Sequence, residues 1–222
     1  MNIDIDFIES NNKHLKILND SFVGVCKKVV NFSCKTTPKC SVLNIGGGYK
    51  KEIEQWLENS DQVDYYCLDI DTSRIENNTI QADITDPELN INKTFDVIIS
   101  KDTFEHILAP WEAAKNIKKL LKQHGIGIVI APFSWRYHAC PIDTFRYTHT
   151  GMRYLFENNG GIEEIFSGYK VFPSTTSWYK SGSDKTISGK PFTESIEVIY
   201  VFKKNPSIKF KTNRLDIDND KH

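Results

Sequence analysis

The sequence predicts a doubly wound α/β fold, a mainly parallel sheet covered by helices on both faces, with an antiparallel C-terminal edge and an N-terminal helical addition. Three observations predict it. From residue 41 onward, short apolar runs alternate with segments of helical spacing. Several runs, "VIIS" and "IGIVIA" among them, are apolar without interruption, as strands buried on both faces are. The first run, "SVLNI", ends in three glycines and passes directly into a helix-like segment.

The elements follow in order. Leu15, Leu18, Phe22, Val25 and Val29 recur at three- and four-residue spacing, which predicts an amphipathic helix over about residues 11–32. Pro38 breaks that pattern, and residues 41–45 read as a buried strand. Further strands are predicted at 64–68, 79–82, 95–100 and 125–131, and helices at 50–59, 109–123 and 150–158. After Gly161 the rhythm changes: "IEEIFSGYKVF" and "ESIEVIYVF" are strand-like with no helix between them, so they are expected to run antiparallel. The polar stretch between them, "PSTTSWYKSGSDKTISGKP", reads as a surface flap, and "RLDIDNDKH" as a frayed end. With 222 residues, 39% of them hydrophobic and 12% aromatic, one core with local additions is expected. This gives a helical cap over 1–38, one main domain over 39–204 and a polar tail over 205–222.

Charge and cysteine usage exclude several classes. The 28 basic and 29 acidic side chains leave a net charge of −1, without the positive field of a general nucleic-acid binder. A small-molecule partner is expected instead. "MNIDIDFIES" places acids where a signal peptide carries positive charge, and no apolar run approaches the ~18 residues of a membrane span. A cytoplasmic protein is the expectation. Cys26, Cys34, Cys40, Cys67 and Cys140 are odd in number and include no C-x-x-C pair, so neither a disulfide framework nor a zinc site is expected. The first four read as small apolar core residues; Cys140 stands apart among polar and aromatic neighbours.

A strand that ends in Gly46, Gly47 and Gly48 and turns into a helix aims backbone N–H groups and the positive end of a helix dipole at one point. Asp69 ends the next strand in "YYCLDID", where an α/β nucleotide site places a carboxylate for ribose hydroxyls, and Asp83 follows in "QADIT". Each acid alone would also serve as a cap or turn residue; the series of three strand ends favours a ligand site. The dinucleotide fingerprint G-x-G-x-x-G fails at Lys51, which disfavours an NAD-dependent oxidoreductase.

These stretches resemble the class I S-adenosylmethionine (SAM)-dependent methyltransferases. "VLNIGGG", "YYCLDID", "QADIT", "FDVIISKDTFEHI" and "LLKQHGIGIVIAPF" match the family motifs in family order from about residue 40 to 168. The resemblance implies a Rossmann-like methyltransferase fold, with SAM as cofactor and S-adenosylhomocysteine as product. It assigns Asn44, Gly46, Gly47 and Gly48 to the methionine and ribose portion, Asp69 with Ile70 to the ribose, Asp83 with Ile84 to the adenine, and Ser100 with Lys101 to the sulfonium end. Two residues depart from the family pattern. Asn44 stands where Asp or Glu is usual and brings no charge to the cationic cofactor, and Lys50 stands where a third motif glycine often occurs.

Methyl transfer from a sulfonium is an in-line displacement that needs alignment, and a base only where the acceptor holds a proton of high pKa. The loops after the fourth and fifth strands are expected to supply the acceptor site. In the first, Glu105 and His106 resemble the Glu-His pair common in the superfamily; catalysis and loop organisation are both open for them. In the second, residues 132–152, Trp135, Arg136, Tyr137, His138, Asp143, Arg146 and His149 crowd a strand-to-helix connection too polar to be core. "HACPIDTFRYTHTGMRYL" resembles a segment of a methyltransferase subgroup found in bacterial surface-polysaccharide and natural-product pathways. His138 is the first candidate base, because imidazoles titrate near neutrality. An Asp143–Arg146 salt bridge fixing the loop is expected ahead of substrate contact by either residue, whereas Arg136 suits a phosphate or carboxylate. Trp178, with Tyr179, stands in the flap where closure over an acceptor would bring it. The histidines and Asp143 lack a compact metal-ligand spacing, so no metal is expected.

The expected activity is therefore O-methylation of a small polar acceptor: a sugar, a nucleotide-linked sugar or a phosphorylated group. "SKDTFEH" replaces the Asn/Asp-Pro-Pro-aromatic motif of base-amino methyltransferases, which speaks against a nucleic-acid substrate. A non-catalytic SAM-binding scaffold is the alternative from another class, drawing on Asn44 and Lys50. The N-terminal helix and the edge hairpin are candidate contact surfaces between copies.

Overall fold

The computed structural model describes residues 3–8, 16–35, 39–47, 55–57, 60–71, 78–139, 141–158, 160–173 and 194–209. Gly48, Lys50, Lys51, Cys140, Trp178, Tyr179, most of the helix expected at 50–59, the flap and the end of the tail lie outside them.

The strands are β1 (Phe7–Ile8), β2 (Ile17–Leu18), β3 (Cys40–Ile45), β4 (Val63–Asp69), β5 (Thr79–Gln81), β6 (Phe95–Lys101), β7 (Leu121–Ser134), β8 (Ile162–Pro173) and β9 (Glu194–Lys204). Among the described residues the helices that can be followed end to end are α1 (Phe22–Cys34), α2 (Pro110–Leu120) and α3 (His149–Glu157), with a 3-10 turn at Phe104–His106; residues 55–57 are helical as well. The nine strands among the described residues form one sheet in the order β1-β2-β8-β9-β7-β6-β3-β4-β5. From β7 to β5 every pairing is parallel. β9 runs antiparallel to both its neighbours, β7 and β8. The mixed sheet is the Rossmann-like architecture expected from the sequence.

Alternation along the apolar strands builds two cores, one on each face. Val42, Val97, Ile99, Ile126, Ile128, Ile130, Ile199 and Val201 face α1, which contributes Phe22, Val25, Cys26, Val29 and Val30. Leu43, Ile45, Ile98, Val129, Ala131, Val198, Tyr200 and Phe202 face the other way, against Ala113, Ala114, Ile117 and Leu120 of α2 and Met152 and Phe156 of α3. Each helix begins where its sequence allows. The Ser21 hydroxyl accepts from the Gly24 N–H at 3.1 Å and the Thr148 hydroxyl from the Gly151 N–H at 3.0 Å, while Pro110 occupies the first turn of α2.

The N-terminus differs from the expectation. The helix begins at Phe22, not near residue 11, and Ile17 and Leu18 form a strand that pairs parallel with β8. Leu18 is buried as its helical spacing required, but the backbone reaches the core through the sheet edge. Cys26, Cys40 and Cys67 are buried as expected, whereas Cys34 is half-buried, with its thiol 3.7 Å from the Gln62 carbonyl oxygen.

Candidate active site

Strands β3 to β7 run parallel, so their C-terminal ends lie along one side of the sheet, where ligands of open α/β sheets bind. Gly46 follows β3 at φ +74°, a conformation that favours glycine, and its N–H donates to the Leu68 carbonyl at 2.9 Å. A Cβ at Gly46 would run into the Thr103 side chain, and one at Gly47 into the Asn44 amide. The turn thus packs its own neighbours tightly. Asn44 is only 2% exposed, and its amide donates to the Tyr65 hydroxyl at 3.4 Å. Thr103, not anticipated from the sequence, donates to the carbonyls of Ile45 at 3.2 Å and Lys101 at 3.1 Å, joining the β6 loop to the glycine turn.

The two strand-end carboxylates shape their own loops. Asp69 accepts from the Asp71 N–H at 3.0 Å, beside the exposed Ile70. Asp83 accepts from the N–H and the hydroxyl of Thr85 at 2.8 and 2.7 Å. Ile84 is buried, and its carbonyl accepts from Asn116 of α2 at 2.8 Å, which pins this loop to the helix layer. Ser100 pairs in register with Ile45; its hydroxyl is buried and makes no hydrogen bond. Lys101 forms an ion pair with Asp102. Burial opposes its charged form, but Glu197, Asp102 and Glu105 together hold the ammonium above the usual lysine range. A narrow glycine turn, an orphaned hydroxyl and this surplus of carboxylates over one lysine fit a cationic, polar cofactor.

The two loops that follow β6 and β7 are joined by hydrogen bonds. Thr144 donates to the Glu105 carbonyl through both its N–H and its hydroxyl, each at 2.7 Å, and Tyr147 donates to the Phe104 carbonyl at 3.0 Å. The Asp143–Arg146 pair is bidentate, at 2.5 and 2.7 Å. Arg146 also donates to the carbonyls of Arg136 at 3.0 Å and Trp135 at 3.4 Å, and it holds the Asp143 carboxyl down at about 2. The other Asp143 partner is the His138 N–H, at 2.7 Å. Asp143 and Arg146 therefore clamp the loop, as the internal pairing required.

That clamp presents His138 to Glu105 and His106. Glu105 is fully buried, neither of its carboxylate oxygens accepts a hydrogen bond, and its Oε1 lies 3.7 Å from His106 Nε2 and 3.8 Å from His138 Nε2. Burial pushes the Glu105 carboxyl up to about 7, opposed by its own backbone N–H and by Arg146 and aided by the negative charges of Asp102 and Asp143. The two imidazoles meet edge to face at 5.1 Å. Neighbouring candidates are placed differently. Tyr137 is 68% exposed, Arg136 is half-buried, and Trp135 packs edge-on against Phe172 at 6.3 Å. His149 is bound to the Tyr169 hydroxyl at 2.9 Å, away from the trio, and burial lowers its pKa.

Comparison with known proteins agrees with this geometry. Residues 43–129 match the model of a family described as "Methyltransferase domain". No curated protein sequence matches the chain. Among solved structures, a protein assigned as a sarcosine dimethylglycine methyltransferase from Galdieria sulphuraria superposes with a TM-score of 0.59 at 13% identity, covering 83% of this chain and 85% of that one. The YcgJ protein of Bacillus subtilis gives 0.54 at 14% identity, covering 81% and 98%. A protein assigned as a methyltransferase from Bacillus halodurans gives 0.56 at 11%, covering 79% and 98%. Residues 43–129, strands β3 to β7, are thus similar to a methyltransferase domain, and the chain shares the fold of these solved structures.

Proposed function

We propose that the enzyme transfers the methyl group of SAM to an oxygen of a small polar acceptor, a sugar, a nucleotide-linked sugar or a phosphorylated group, of the kind used in polysaccharide or natural-product assembly. The observation that carries this reading is the buried Glu105 carboxylate facing His106 and His138 at the mouth of the loops. The cofactor supplies a methyl carbon bound to a positively charged sulfur. Asn44, the glycine turn and Ser100 would hold its methionine and ribose portion, Asp69 the ribose hydroxyls, and Asp83 with Ile84 the adenine.

The chain's own task is then alignment and removal of one proton. A hydroxyl must lose its proton as the oxygen attacks, and His138 Nε2, on the more open side of the trio, is placed to accept it. Glu105, buried opposite, would stabilise the imidazolium that forms, as an adjacent carboxylate does. Arg136 would meet an anionic group on the acceptor.

Calorimetric titration with S-adenosylhomocysteine, using NADH as control, tests the cofactor half. Saturable binding of the first alone is expected, and Asp69→Ala should weaken it by on the order of 1.5–3 kcal/mol through loss of charge-assisted hydrogen bonds. Unchanged affinity removes Asp69 from the site. A screen of sugar nucleotides and phosphorylated sugars tests the acceptor half; a product methylated on nitrogen would overturn the oxygen assignment.

A further inference from the structure

Glu105, His106 and His138 offer one ligand atom each, all within 4.8 Å of one another, and both Nε2 atoms face Glu105 Oε1. Their tautomers are set by what lies behind the rings. His106 Nδ1 is 2.5 Å from the Ile142 carbonyl oxygen, and His138 Nδ1 is 3.1 Å from the Arg136 carbonyl oxygen. A carbonyl oxygen only accepts, so each Nδ1 carries the proton and, in the neutral ring, each Nε2 keeps its lone pair. Two lone pairs and a carboxylate thus converge, and the separations of 3.7 and 3.8 Å from Oε1 are too long for hydrogen bonds. Ligands held at ~2.0–2.2 Å from one shared ion stand roughly 3–3.5 Å apart, so the two separations from Oε1 need a contraction of a few tenths of an ångström, and the imidazole nitrogens, within 4.8 Å of each other, a small rotation of the rings.

We propose that Glu105, His106 and His138 form a binding site for one divalent transition-metal ion, with open coordination positions towards the acceptor. Two imidazoles and a carboxylate are a donor set that suits Zn²⁺ and its first-row neighbours better than Mg²⁺ or Ca²⁺. Each imidazole donates its other N–H to a backbone carbonyl, the arrangement that orients metal-bound histidines. The buried, unpartnered Glu105 carboxylate gains a counter-charge, and Asp102 and Asp143 add negative potential around it. The trio is closed on the Glu105 side and open on that of His138, whose side chain is 32% exposed.

The site rests on the methyl-transfer reading above for its catalytic meaning and replaces one role in it, that of His138 as base. With both Nε2 atoms on the ion, neither imidazole is the base. An acceptor hydroxyl bound at an open position is acidified by the ion and gives its proton to water. The oxygen's lone pair forms the new O–CH₃ bond, and the electrons of the broken S–CH₃ bond remain on sulfur.

The test uses the full chain, stripped with EDTA and re-equilibrated with Zn²⁺ or Co²⁺ in turn, followed by elemental analysis, the visible spectrum of the cobalt form and S-adenosylhomocysteine calorimetry on the same samples. One equivalent of metal per chain is expected, with cobalt bands of an imidazole-ligated site. His138→Gln should bind metal at least tenfold more weakly while retaining its affinity for S-adenosylhomocysteine; His106→Gln and Glu105→Gln should do the same if they fold. His138 is the least buried of the three, so its variant keeps the test decisive if the others do not fold. Wild-type protein that binds S-adenosylhomocysteine but takes up neither metal overturns the site, as does undiminished uptake by His138→Gln. Metal bound through the trio without S-adenosylhomocysteine binding would leave the site standing and sink the methyl-transfer role given to it.

Discussion

Glu105 concentrates the chemistry of the molecule on one side chain. Its carboxyl is pushed up to about 7 by burial, so the folded, metal-free protein binds the proton more tightly than the unfolded chain does. The sign follows: its contribution to stability is fully present below the ordinary carboxyl pKa of about 4.5 and is lost as pH rises through about 7. Glu105→Gln removes this titration. In metal-free protein the stability of the variant relative to wild type should therefore rise by on the order of 3 kcal/mol between pH 4 and pH 8, measured by denaturant unfolding at both pH values. A constant difference would mean that Glu105 is not held in a desolvated environment. The candidates themselves were legible: Glu105, His106 and His138 stand out by residue type and by their place after two apolar strands. Their meeting was not, because it depends on Thr144, Tyr147 and the Ile142 carbonyl returning to the Phe104–His106 turn, and a linear spacing does not encode such long-range hydrogen bonds.

Among the elements, β7 and β9 carry the closest fit. Gly127 of β7 lies opposite Phe202 of β9 in register, and a Cβ there would collide with the Phe202 ring. Phe202 has little room to yield, since it packs on Phe156 at 4.6 Å and stacks on Tyr200 at 5.4 Å. Gly127→Ala should cost about 1–3 kcal/mol by overpacking, read as a lower denaturant midpoint with an unchanged slope. An unaltered midpoint would show that the ring shifts freely. Strands β6 and β7 were readable because uninterrupted apolar runs between polar helices admit few other assignments. The two-residue strands β1 and β2 were not: a strand so short has no period of its own, and the spacing of Leu15, Leu18 and Phe22 suits a helix equally well.

At the scale of the whole molecule, both cores share a single sheet, so neither face can melt while the other stays packed. One cooperative unfolding transition is expected. S-adenosylhomocysteine at a hundredfold excess over its dissociation constant should stabilise the folded state by about 2.7 kcal/mol and raise that transition by roughly 5–10 °C, with NADH leaving it in place. Scanning calorimetry decides it, and two separate transitions would contradict the shared-sheet account. The order of the strands has a further consequence for synthesis. Among the described residues, β2 joins the rest of the sheet through β8, and β8 through β9. A nascent chain leaving the ribosome can assemble β3 to β7 as they emerge, but its first two strands must wait, undocked, until residues 194–204 have been made and slotted between β7 and β8.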